Sequence, residues 1–87
     1  MLRNPLISAS LGALLDKQNE NETVDVIVIA KGDAMDVYAH VFNIEAYFKD
    51  KNVKYNQEMG NSLIASLTIE QIYELSELRS VEYIDAC

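Results

Sequence analysis

Ser62-Leu-Ile-Ala-Ser-Leu-Thr-Ile-Glu-Gln-Ile-Tyr-Glu-Leu-Ser-Glu-Leu-Arg-Ser-Val-Glu-Tyr-Ile-Asp-Ala-Cys87 decides the fold. From Ser62 to Leu67, Leu63, Ala65 and Leu67 fall on one side of an extended chain, the period of two that a strand requires. Thr68-Ile-Glu-Gln71 is a capping box, in which the threonine hydroxyl and the glutamine side chain satisfy each other's orphan amides. Ile72, Leu75 and Leu78 supply the core stripe of the helix that follows, and Val81-Glu-Tyr-Ile-Asp85 reads as another strand. The stretch is strand, capped helix, strand.

Working outward, Val24-Asp-Val-Ile-Val-Ile-Ala-Lys31 is a strand rich in β-branched residues. Val24, Val26, Val28 and Ala30 lie on one of its faces, and Asp25, Ile27, Ile29 and Lys31 on the other. Apolar residues hold the middle of both faces, which predicts a central strand covered on both sides. Gly32 ends it. Asp33 can cap a helix, with Asp36 near the positive end of its dipole. Val37, Val41, Ile44 and Phe48 form that helix's inner stripe, and it should end near Lys49 to Asn52, where two lysines suit the negative end. Val53 to Met59 reads as a further strand, and Gly60-Asn61 as the turn after it.

Ahead of all this, Pro5 suits the first turn of a helix over about residues 5 to 18, with Leu6, Ile7, Leu11, Leu14 and Leu15 at helical spacing. Gln18 to Glu22 is a polar linker. The chain divides into residues 1–22, helix and linker, and residues 23–87, a βαββαβ domain. Right-handed crossovers turn that order into an α+β, ferredoxin-like sandwich whose antiparallel sheet runs 4-1-3-2, with the extra helix at its N-terminus.

Composition narrows function by exclusion. Apolar residues are 49% of the 87, too many for an intrinsically disordered chain. A chain this short buries only about 60 to 65% of its unfolded surface, so a partner could add much to its stability. Seven basic residues against 14 acidic ones give a net charge of −7, which argues against nucleic acid and anionic membrane surfaces as partners. Arg3 and the apolar residues 6–15 loosely imitate a signal peptide. Ser8, Ser10 and Gly12 interrupt that run, however, and Asp16-Lys17 follow where small residues should stand. No segment reaches the ~20 apolar residues that span a bilayer.

No catalytic constellation emerges, and no cofactor or metal is expected. His40 is the single histidine, in mid-helix, and Cys87 the single cysteine, so no internal disulfide can form and metal ligands are lacking. Asp33/Asp36 and Glu74/Glu77 are spaced as solvated helix faces. Five scattered tyrosines do not make the aromatic platform of an RNA-binding sheet.

Residues 23–87 also resemble a known family, the prodomains of subtilisin-like serine proteases. Ile64-Ala-Ser-Leu-Thr68, the helix from Ile69 to Leu78 and Val81-Glu-Tyr-Ile-Asp85 are similar to that family's closing strand, helix and strand. Val26-Ile-Val-Ile-Ala-Lys31 is similar to its opening strand. The resemblance implies a non-catalytic module that assists folding of a protease catalytic domain, in cis or in trans, and inhibits it. It implies an open sheet face packed on two protease helices, with acidic groups near the last strand capping their N-termini. By position Asp85 would be the first cap, and the second falls on Cys87. A tail in the substrate cleft is also implied, but only Ala86 and Cys87 follow the last strand here.

The interface candidates are Ile27, Ile29, Ile64, Glu82, Ile84, Asp85, Ala86 and Cys87. The N-terminal helix, or a second copy forming a homodimer, could cover the same face instead. A small-ligand regulatory (ACT-like) domain and a free-standing protease inhibitor are the alternative functions. A prodomain whose signal peptide lies outside this chain would be secreted or held in the cell envelope, and the alternatives would be cytoplasmic.

Overall fold

In a computed structural model, residues 5–32, 37–58 and 60–87 are described. The elements are α1 (Ala9–Leu15), β1 (Thr23–Ala30), α2 (Val37–Asp50), β2 (Tyr55–Gln57), β3 (Ser62–Thr68), α3 (Ile69–Ser76) and β4 (Val81–Ala86). The four strands form one antiparallel sheet in the order β2-β3-β1-β4. This is the 4-1-3-2 order of the sequence reading, seen from the opposite edge. The architecture is α+β and ferredoxin-like. The expected caps Asp33 and Asp36 of α2, and Met59 at the end of the expected second strand, lie outside the described residues.

The buried core lies on one side of the sheet. β1 contributes Val26, Val28 and Ala30, β3 contributes Leu63, Ala65 and Leu67, and β4 contributes Val81 and Ile84. Val41, Ile44 and Phe48 come down from α2, and Ile72 and Leu75 from α3. The capping box forms as read: Thr68 Oγ1 accepts from the Gln71 amide at 3.2 Å, and Gln71 Oε1 accepts from the Thr68 amide at 2.9 Å. Side-chain hydrogen bonds tie the helices to each other and to the sheet. The Tyr47 hydroxyl donates to Glu74 Oε1 at 2.7 Å, joining α2 to α3, and the Tyr55 hydroxyl donates to Glu45 Oε2 at 3.0 Å, joining β2 to α2.

The N-terminal segment departs from expectation. Pro5 does not open a helix; Pro5 and Leu6 form a turn, Ser8 is extended, and Ile7 forms a parallel bridge with Ile84 on the outer edge of β4. The Ser8 amide donates to the Ile84 carbonyl at 2.9 Å, and the Ile84 amide to the Leu6 carbonyl at 2.7 Å. These three residues cover an edge that would otherwise present unpaired backbone groups. Only then does α1 begin, with Ser8 as N-cap and its hydroxyl accepting from the Leu11 amide at 3.1 Å. Serine caps well because its short side chain reaches the orphan amides of the first turn, whereas proline at position 5 precedes that turn by three residues.

Candidate functional site: the open face of the sheet

Strand alternation makes the site. Because Val26 and Val28 point into the core, Ile27 and Ile29 must point the other way, and Ile64 joins them as the cross-strand partner of Ile27. All three are half-buried. The partly buried apolar residues packed on the core are Tyr47, Val53, Tyr55, Ile69, Leu78 and Ala86, which places the three isoleucines on the opposite face. Ile7, Leu11 and Leu15 belong to the core cluster, so α1 lies on the same side as α2 and α3. The N-terminal helix therefore does not cover the open face, contrary to one of the possibilities raised by the sequence.

Ile84 is a second correction. Read by simple alternation it belongs with Ile27 and Ile29, yet it is fully buried and paired with Val28. A bulge is the cause: Ile29 pairs with Tyr83 and Ala30 with Val81, so Glu82 is an extra residue in β4. One extra residue shifts the phase of a strand by one face. Val81 and Ile84 can then both face the core despite their odd spacing. Ala86, opposite Val26, likewise packs on the core rather than on the open face. The bulge also brings Tyr83, 39% exposed, beside Ile29 on the open face. No signal in Val81-Glu-Tyr-Ile-Asp85 marks a bulge, because there is no glycine or proline in it, and Tyr83 was missed for that reason.

Acidic groups rim this apolar centre. Asp85 stands opposite Ile27, and Asp25 stands opposite Ser66, whose hydroxyl it accepts. Glu82 is exposed in the bulge, and Cys87 is exposed at the end of β4, its amide donating to the Asp25 carbonyl at 3.0 Å. Asp85 already has work within the chain. Its Oδ1 accepts from the Ser8 hydroxyl and from the Ala86 amide, so it holds the residue that caps α1. Beside Ile64, a hollow of about 370 Å³ opens toward β2, with Asp25, Lys54 and Asn56 in its wall.

His40 and Ser80 are brought together at 3.0 Å, with the Asn43 amide donating to the same Ser80 oxygen at 3.0 Å. This trio has the residue types of a hydrolytic site without its geometry. Ser80 is only 3% exposed, and Asn43 contacts the serine rather than orienting the histidine. Its effect is to pin α2 to the turn before β4. Among the described residues no group of three or more His, Cys, Asp or Glu side chains could hold a metal ion. No described helix is long and apolar enough to cross a membrane.

Comparison with protein families, with curated proteins and with solved structures gives no match. The molecule is thus a ferredoxin-like α+β domain with helices on one sheet face and an acid-rimmed apolar surface on the other.

Proposed function

We propose that this domain is a prodomain-type module that binds a subtilisin-like serine protease catalytic domain through the open face of its sheet, assisting the protease's folding and holding it inactive. The observation that carries this reading is the unoccupied face itself, with Ile27, Ile29, Ile64 and Tyr83 at its centre and Asp25, Glu82 and Asp85 around them. An apolar centre with a polar rim is how recognition surfaces are built. Carboxylates at the rim suit the positive N-terminal ends of partner helices. The motif resemblance of residues 23–87 adds which partner to try first. Asp85 would reach it through Oδ2, since Oδ1 holds Ser8 and the Ala86 amide.

Binding would stabilise the small domain by mass action, as any ligand of the native state does. The test is inhibition of a subtilisin-like protease, measured with the full chain and with an Ile27→Thr/Ile64→Thr variant whose fold is checked by circular dichroism. The expected result is saturable inhibition by the parent chain and at least about a tenfold loss in the variant, the effect of removing apolar anchors from an interface centre. Rapid digestion of the folded chain without inhibition, or equal inhibition by the variant, would overturn the reading.

A further inference from the structure

A second hollow, of about 350 Å³, lies where the loop after α2 passes the start of β1 and the end of β3. Its chemistry runs against the rest of the molecule. The chain has 14 acidic side chains and 7 basic ones, yet no carboxylate lines this hollow, while Lys51 and Lys54 both do. Of the other polar groups around it, Ser66 gives its hydroxyl proton to Asp25, while Thr23, Thr68 and Gln71 can donate. Thr23 and Thr68 face one another as a cross-strand pair. Thr68 Oγ1 accepts from the Gln71 amide and keeps its own proton to give, and Gln71 Oε1 is held by the Thr68 amide, which leaves the side-chain NH₂ as donor.

Two lysines, two threonine hydroxyls and an amide NH₂ around one hollow, with no carboxylate in its lining, suit an anion with several oxygens. Lys49 stands in the last turn of α2 and suits its negative end. Lys54 lies beyond that end, two residues after Asn52, which takes the left-handed backbone (φ 59°) that turns the chain into this loop. No carboxylate pairs with Lys51 or Lys54 among the described residues; Lys51 instead reaches over the Tyr47 ring, 6.0 Å from its centre. In a chain of charge −7, a hollow lined by two lysines and no carboxylate is a favourable place for an anion.

We propose that this hollow binds a phosphate-type oxyanion, either inorganic phosphate or the phosphate of a small ester, held by Lys51 and Lys54 and positioned by Thr23, Thr68 and Gln71. The site continues the isoleucine face at the Thr23–Thr68 end and shares Lys54 and Ser66 with the hollow beside Ile64. Its test uses phosphate and not a protease, so it does not depend on the function proposed for that face.

The experiment is a titration of the ¹⁵N-labelled full chain with inorganic phosphate, with glycerol phosphate, and with sodium chloride at matched ionic strength. Saturable shifts confined to amides around Thr23, Ser66, Thr68 and Gln71, with either phosphate and not with chloride, are expected. Tighter binding of one of the two identifies the source. Lys54→Gln should weaken binding by about tenfold, the loss of one charge-assisted contact, while Lys17→Gln, outside the lining of the hollow, should leave it unchanged. Shifts that fail to saturate, that chloride reproduces, or that Lys54→Gln leaves intact would overturn the proposal.

Discussion

The two faces of β1 carry nearly the same side chains and have opposite fates. Val26 and Val28 on one face are buried completely under α2 and α3, while Ile27 and Ile29 on the other, one residue out of phase, remain half-exposed. Hydrophobicity alone therefore does not decide burial. It is decided by where the crossover helices go, and in a βαββαβ chain both go to the same side. The N-terminal segment could have evened the balance. It goes to the helical side too, because residues 6–8 join the edge of β4 and Ile7 follows Ile84 into the core. The molecule thus has one face finished by its own chain and one left open.

Substitutions can break this contrast. The largest effect is expected on the finished face: Ile84→Ala or Leu63→Ala should cost about 2 to 5 kcal/mol in urea unfolding, the range for emptying a packed core site. A value near zero for Ile84→Ala would return that residue to the open face and dissolve the bulge argument. Next in size is Ser8→Ala, at about 1 to 2 kcal/mol, since it removes both the cap of α1 and the hydroxyl held by Asp85. Hydrogen exchange should then speed up first at the Leu11 amide.

A third test concerns how the helices are fixed to the finished face. Burial, and then the Glu74 carboxylate that accepts its hydroxyl, push the Tyr47 phenol well above its ordinary range. Burial and the Glu45 carboxylate act on Tyr55 in the same direction. Both effects favour the neutral phenol in the folded state. Their contribution is complete below the unfolded tyrosine value of about 10 and is lost as pH rises through the folded values. Stability should therefore decline above about pH 10. Tyr47→Phe should cost about 1 kcal/mol at neutral pH and make that alkaline decline shallower. The smallest effect belongs to the open face, where Ile27→Thr and Ile29→Thr should each change stability by less than about 1 kcal/mol, because both residues keep their β-branched fit to the strand. A cost as large as that of Leu63→Ala would mean that this face is already covered.

Much of the fold was legible because it rests on local chemistry. The threonine and glutamine of the capping box lie three residues apart, and α3 starts where they say. Val41, Ile44 and Phe48 face inward at the spacing any helix imposes. β2 is shorter than read, since Val53 and Lys54 belong to the loop after α2 and the strand ends at Gln57 before Glu58. In the candidate site, Ile27, Ile29, Ile64 and Asp85 stand on the face assigned to them, whereas Ile84 and Ala86 stand on the other.

The sequence by itself determined the order of elements, the sheet, and the inward sides of α2 and α3, because period, capping and turn chemistry act over a few residues; in α1, Leu14 of the expected stripe is exposed. Only the tertiary structure decided which face of the sheet was left open, where the N-terminal segment lay, and that β4 carried a bulge. It also decided that two lysines and two threonines far apart in the chain would share one acid-free hollow. These outcomes depend on contacts between residues such as Ser8 and Asp85, 77 positions apart, and no local pattern encodes the energy of such a meeting.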